Sequence, residues 1–284
     1  MSVAVKNIFK DYALQAQFGK NGFVKLPRIS DTALKQLLEV YEDHRHEHEQ
    51  INATLVSTSH SNRRELIEKV DAQIVSALQE YFEEHLCNYR FIFSNLLLKK
   101  CGADTVTPPH QDASFVNEMK DMMFSIWIPL TDTSPENGCM RFLCGSHLLP
   151  LNPRPAPTHS WPYAQVIDVI EDKMIDVPLR AGEPVAFHGA SIHASYPNMT
   201  EAIRPSVVMA LTNADAQWIQ YYCKDSSKNL VEEYPMTKED YLSYVKGTVP
   251  VQKPPLREFV LRPPSMKHFY LKYAPMRLLR MALQ

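Results

Sequence analysis

Two potential metal ligands, His110 and Asp112, stand one residue apart in the stretch TPPHQDASF (residues 107–115), directly after a pair of prolines. On an extended segment, side chains at i and i+2 point to the same face. His110 and Asp112 can therefore converge on one ion while Gln111 points the other way. An imidazole nitrogen beside a carboxylate oxygen suits a divalent first-row metal. Two ligands alone are a weak pattern, so the rest of any site must come from distant sequence.

The stretch PVAFHGASIHASYPNMTEAIRPSVVMAL offers candidates. His188 and His193 fall on a predicted strand–turn–strand, and Arg204 follows His193 by eleven residues. One of these histidines would complete a two-His, one-carboxylate triad, the set used by non-haem Fe(II) oxygenases, which leaves adjacent coordination positions open. Arg204 opens an apolar strand, so its guanidinium is expected to enter the interior. A buried Arg needs an anion, and its planar fork of donors pairs best with a carboxylate.

The elements that must position these residues change character along the chain. The first 90 residues read as mostly helical, after which short strands dominate. Leu34, Leu37, Leu38 and Tyr41 mark one helix face; Leu66, Ile67, Val70, Ile74, Leu78 and Phe82 mark a second, with Ser61 or Asn62 as its cap. GFVKLPR reads as a short strand ended by Pro27. From about residue 89, YRFIFSNLLLKK, MMFSIWIPL, CMRFLC, PYAQVIDVIED, EPVAFHG and RPSVVMALTN read as strands, with an Asn-Gly hairpin signal at 137–138.

Many short strands with such turns predict a jelly roll, so the fold class is mainly β with flanking helices (α+β). One domain is expected over 1–284: helical wrapping at 1–88, a β core at 89–213 and a C-terminal extension at 214–284. In that extension, a helix capped at Thr237 and stopped at Gly247 precedes a Pro-rich arm and a basic helix from about Ser265.

Composition narrows the function. A formal net charge of -2 argues against a nucleic-acid binder, which needs a concentrated basic surface. No apolar run approaches the length of a membrane span. Lys6, Lys10 and Asp11 stand where a secretory signal would need apolar residues. The five cysteines, an odd set without a CxxC pair, read as reduced thiols, so a cytoplasmic location is expected.

Taken together, HQD, WIPLTDTSPENGCMRFLCGSH, VAFHGASIHAS and IRPSVVM resemble the phytanoyl-CoA dioxygenase family of Fe(II)/2-oxoglutarate-dependent oxygenases. The likeness spans about residues 90 to 212 and implies a double-stranded β-helix, a cupin-like jelly roll. It implies His110, Asp112 and His193 as iron ligands, selecting His193 over His188. Arg204 would pair with the distal carboxylate of 2-oxoglutarate, Trp127 and Ser195 would line its pocket, and Lys99 or Lys100 would add a polar contact.

The implied cofactors are Fe(II), 2-oxoglutarate and O2, and the implied reaction is oxidation of a small organic molecule, with release of succinate and CO2. Secondary-metabolite biosynthesis is one setting for such a reaction. A carboxylate at Asp112 favours hydroxylation over halogenation, because related halogenases carry a small residue there. Desaturation and ring formation use the same ligands and stay open. A non-catalytic jelly-roll binding protein and a cupin-like enzyme with another metal are the rivals.

Other residues are weighed against plainer roles. Phe115 and Asn117, just past the HxD turn, and Trp218 in AQWIQYYCKD are candidates to face substrate, with core packing as the alternative for Trp218, Tyr221 and Tyr222. His44, His46 and His48 read as a solvated helix end, and His147 and His188 as turn or packing histidines. The expected partner is a small-molecule substrate, with no nucleic acid and no membrane, and the chain a monomer or homodimer.

Overall fold

A computed structural model describes residues 6–51, 53–155, 161–244, 248–262 and 264–273. Helix α1 (Tyr12–Asn21) starts at Asp11, whose carboxylate accepts from the Ala13 and Leu14 N–H groups, and leads into strand β1 (Phe23–Lys25). Helix α2 (Asp31–Glu49), capped by Ser30, is followed by β2 (Leu55–Ser57) and helix α3 (Arg64–His85). The cap of α3 is Arg63 rather than Ser61 or Asn62, and it gives no side-chain bond. Ser61 Oγ instead accepts from the Arg63 N–H, which closes a turn before the helix begins.

The β core then runs through β3 (Tyr89–Lys99), β4 (Thr107–His110), β5 (Met123–Pro129) and β6 (Met140–Phe142). After helix α4 (Ile167–Lys173) come β7 (Ile175–Val177), β8 (Val185–His188), β9 (His193–Ser195) and β10 (Arg204–Asn213). The chain continues through β11 (Ile219–Asp225), β12 (Leu230–Pro235), helix α5 (Lys238–Ser243), β13 (Arg257–Val260) and helix α6 (Lys267–Tyr273). Thr237 caps α5 with a reciprocal capping box. α5 ends at Ser243, with Tyr244 already extended, short of the expected stop at Gly247; the residues beyond Tyr273 expected to belong to the basic helix lie outside the described residues. Among the described residues, no helix is long and apolar enough to cross a membrane.

Two antiparallel sheets face each other: six strands ordered β1-β8-β5-β10-β3-β2, and four ordered β4-β9-β6-β7. A third sheet, β11-β12-β13, holds the C-terminal strands. Alternation along the large sheet divides its side chains between two layers. Val207, Met209 and Leu211 of β10, with Phe124, Ile126 and Ile128 of β5, pack against α1, α2 and α3. Their neighbours Trp127, Val185 and Phe187 meet Met140, Phe142 and Val177 of the small sheet. Burial on both faces explains why these strands read as nearly unbroken apolar runs.

Two sequence expectations fail locally. PYAQVIDVIED is not a strand but a 3-10 turn followed by α4. Val166, Ile170 and Met174 recur at i, i+4 and i+8 and cover the small sheet together with Phe269 of α6, so the helical period wins. Asn137-Gly138 does form a turn, with Gly138 at φ 88°, yet it joins β5 to β6 in different sheets and so makes no hairpin.

The histidine run of α2 is also not solvated throughout. His44 and His48 are 3% and 0% exposed, because the stripe Ala33, Leu37, Val40 continues through them. His48 Nδ1–H donates to the His44 carbonyl, and its Nε2 accepts from the Thr58 hydroxyl. Burial holds the His48 imidazole below its usual pKa, in the neutral form this pairing requires.

Candidate metal centre and its anion pocket

The β4–β9 ladder sets His110 directly opposite His193, with ring centroids 4.2 Å apart. Asp112 follows β4 by two residues and brings Oδ1 within 3.9 Å of His110 Nε2 and 3.7 Å of His193 Nε2. The three prospective ligand atoms lie within 4.8 Å of one another, the one such cluster among the described residues. His193 is buried, while His110 and Asp112 are partly open to solvent.

Hydrogen bonds fix the tautomers. His110 Nδ1 lies 2.9 Å from the Pro108 carbonyl, and His193 Nδ1 lies 3.0 Å from that of Ser191. A carbonyl only accepts, so each proton sits on Nδ1 and each Nε2 keeps its lone pair for the cluster. Burial and the neighbouring His110 push His193 down to about 4, which keeps it neutral and able to ligate. Gln111 points away and donates to the Ala190 carbonyl at 2.6 Å, tying this turn to the loop that feeds β9.

A second constellation lies at the start of β10. Arg204 pairs across the ladder with Lys99 of β3, and both side chains are buried. The Arg204 guanidinium carbon sits 5.0 Å from the Trp127 ring centre, and its Nε and Nη1 are buried without a hydrogen-bond partner. Lys99 Nζ donates to Ser195 Oγ at 2.7 Å, to the Tyr196 carbonyl at 2.7 Å and to the Thr105 carbonyl at 2.8 Å. Lys100 points elsewhere, to the Glu49 and Ile51 carbonyls, so strand alternation decides which lysine faces inward.

No ion pair among the described residues neutralises these two cations. Burial and the Arg204 charge push Lys99 down to about 7, and burial lowers Arg204 to about 10. Cys139, the ionisable group that would favour their charged forms, has its own thiol pushed up to about 11 by burial and stays neutral. Two buried basic side chains without an acidic partner among the described residues, and two orphaned donors, are an arrangement that an anion would satisfy. Gly138 makes room for the Lys99 side chain, since a Cβ there would stand 2.7 Å from both Lys99 Cδ and the Tyr196 carbonyl oxygen.

The remaining sequence candidates stand outside the ligand cluster, with contacts of their own. Phe115 meets the rings of Phe93 and Tyr241 at 5.3 and 5.2 Å. Trp218 donates to Thr212 Oγ1 and carries Arg90 4.0 Å above its ring. Asn117 Oδ1 accepts from the Met119 N–H in a turn. His188 Nδ1 accepts from the Ala190 N–H, outside the ligand cluster. Arg154, which donates to the Asp112 carbonyl at 2.6 Å, was missed, because nothing in its local sequence signals that it folds back to the HxD turn.

The phytanoyl-CoA dioxygenase (PhyH) family model matches residues 13–206, a range that holds the His–Asp–His cluster, Lys99 and Arg204. The chain belongs to the phytanoyl-CoA dioxygenase family. A phytanoyl-CoA dioxygenase domain-containing protein 1 from Danio rerio is 29% identical over 126 residues, covering 42% of this chain and 43% of that protein. A phytanoyl-CoA dioxygenase from Arabidopsis thaliana is 27% identical over 161 residues, covering 52% and 51%. The chain thus spans about half the length of the curated family members it matches.

Solved structures place the fold. The non-heme alpha ketoglutarate dependent carbocyclase SnoK superposes with a TM-score of 0.55 at 22% identity, covering 73% of this chain and 86% of that one. The epimerase SnoN, in complex with Fe3+, alpha ketoglutarate and nogalamycin RO, gives 0.55 at 21% identity, covering 88% and 97%. At such identity the likeness establishes the fold alone, the jelly roll.

Proposed function

We propose that this phytanoyl-CoA dioxygenase family member is an Fe(II)- and 2-oxoglutarate-dependent oxygenase that hydroxylates a small organic molecule. The observation that carries the reading is the pair of partnerless Arg204 donors, buried beside Lys99 and Trp127. A dicarboxylate brought there supplies the missing acceptors and counter-charge at once. The Nε2 atoms of His110 and His193 and the Asp112 carboxylate are the right donor set for iron.

In this reading, His110, Asp112 and His193 would hold the metal. Arg204 and Lys99 take the distal carboxylate of 2-oxoglutarate, Ser195 holds Lys99 in place, and Trp127 walls the pocket. Anchoring that end would fix the register of the bound keto acid. When bound, iron, 2-oxoglutarate and O2 supply the oxidising power, and succinate and CO2 leave. Phe115, Asn117 and Trp218 belong to the substrate side, downstream of the ligand turn. The SnoK and SnoN structures make a secondary metabolite a reasonable first substrate class to screen.

The test is succinate release from 2-oxoglutarate with Fe(II) and O2, which proceeds slowly even without substrate, followed by a metabolite screen for stimulation. Succinate formation that needs all three components supports the reading. No turnover, together with no 2-oxoglutarate binding, would leave a jelly-roll binding protein in its place. A product lacking two hydrogens, or one with a new ring, would redirect the outcome from hydroxylation to desaturation or cyclisation.

A further inference from the structure

The turn that carries Asp112 is held by a buried ion pair from a distant part of the chain. Arg154 Nε donates to the Asp112 carbonyl at 2.6 Å while its Nη2 donates to Glu118 Oε1 at 2.7 Å. Ser114 closes the ring, its Oγ donating to Glu118 Oε2 at 2.8 Å and accepting from the Arg154 N–H at 3.2 Å. The Ser114 N–H donates in return to the Arg154 carbonyl at 3.1 Å. The Arg154 and Glu118 side chains are only 12% and 4% exposed.

Stability alone does not account for such a pair. Desolvation offsets much of the attraction between buried charges, and apolar replacements are often neutral or better. Its location is more telling. His110 and His193 are fixed by strand pairing, but Asp112 lies beyond the end of β4. A loop aspartate changes the direction of its side chain whenever its peptide planes rotate. Anchoring its carbonyl to a guanidinium that is itself locked by Glu118 and Ser114 removes that freedom.

We propose that Arg154 and Glu118 are positioning residues that aim the Asp112 carboxylate at the metal. The proposal rests on the reading of His110, Asp112 and His193 as metal ligands. Arg154 orients the turn, and Glu118 both orients Arg154 and cancels a positive charge that would otherwise oppose a divalent cation close by. Outer partners of this kind are worth roughly 10–100-fold in metal affinity.

Co(II) titration of the full chain, followed by visible absorption, reads this directly without turnover. Arg154→Lys is the decisive variant, since lysine keeps the charge and the reach to Glu118 but places a methylene where Nε donates. The expected result is a Co(II) Kd raised about tenfold or more, with the melting temperature of the metal-free protein close to wild type. Glu118→Gln, which leaves Arg154 uncompensated, is expected to raise the Kd as well. The double variant Arg154→Gln/Glu118→Gln should bind no worse than Arg154→Gln alone. His193→Ala serves as the site control and should lose Co(II). If His193→Ala loses Co(II) while Arg154→Lys and Glu118→Gln bind as wild type, the positioning role is overturned and the ligand set stands. Should His193→Ala bind like wild type, both fall.

Discussion

Arg204 and Lys99 stand opposite each other on neighbouring strands, two buried basic side chains with no acidic partner among the described residues. Lys99 meets its needs with hydroxyl and carbonyl oxygens, whereas Arg204 leaves Nε and Nη1 bare. Arg204 thus carries buried donors that an anion would satisfy.

Replacing Arg204 by Met separates those two states. Removing a partnerless buried charge should leave the ligand-free protein as stable as wild type or more so. Loss of the anchor should cost about 2–5 kcal/mol of 2-oxoglutarate binding, a rise in Kd of roughly 30-fold or more. Thermal melts with and without 2-oxoglutarate check both. A wild-type shift on ligand addition would remove Arg204 from the pocket's function.

Lys99 predicts a pH dependence with a definite sign. Its folded pKa is lowered to about 7 from the ordinary 10.5 by burial and by Arg204. Between these values the unfolded chain binds the extra proton, so this residue makes stability rise with pH from about 7 towards 10.5 and leaves it flat below. Binding of a dicarboxylate favours the charged lysine, so 2-oxoglutarate affinity should fall as pH climbs through that same region. Calorimetry in buffers of different ionisation heat should detect proton uptake on binding near pH 8. Lys99→Met should abolish the uptake; uptake that survives the change would assign it to another group.

The ligand cluster is expected to fail as a unit. His110→Ala, Asp112→Ala and His193→Ala should each abolish succinate formation, since losing one of three ligands also opens the site to solvent. Full activity in any one of them would dismantle the triad. His188→Ala, whose imidazole bonds the Ala190 N–H instead, should still make succinate and be less stable.

How far the sequence reveals this site depends on the range of the signal. The i, i+2 spacing of His110 and Asp112 and the inward-facing Arg204 are local patterns, visible without coordinates, and the strand-rich core follows from its alternating runs. Lys99 and Lys100 were inseparable because an apolar run buried on both faces hides the alternation that the Arg204 pairing reveals. α4 is ambiguous in sequence, because Val166, Ile170 and Met174 suit a helix while their β-branched surroundings suit a strand. Burial of His44 and His48 depends on Thr58 and Gln73, partners that no spacing rule connects to them. Arg154 lies beyond local reading for the same reason: its importance exists only through a tertiary contact.

Gly138 supplies the last test, one that displaces Lys99 without substituting a charged residue. It holds φ 88°, where a side chain is strained, and a Cβ would press on Lys99 Cδ and the Tyr196 carbonyl, each 2.7 Å away. Lys99 cannot yield easily, because its Nζ is tied to Ser195 and two carbonyls. Gly138→Ala should therefore lower stability by about 1–3 kcal/mol and raise the 2-oxoglutarate Kd by displacing Lys99. Gly19→Ala is the matched control: it lies within α1 with nothing within 4 Å of the new methyl group. That change should raise stability by roughly 0.5–1 kcal/mol through helix propensity and leave 2-oxoglutarate binding as it was. Denaturant melts and cosubstrate titration of the two variants distinguish these outcomes, and a Gly138→Ala protein that binds 2-oxoglutarate like wild type would show that Lys99 is not held in the pose the anion requires.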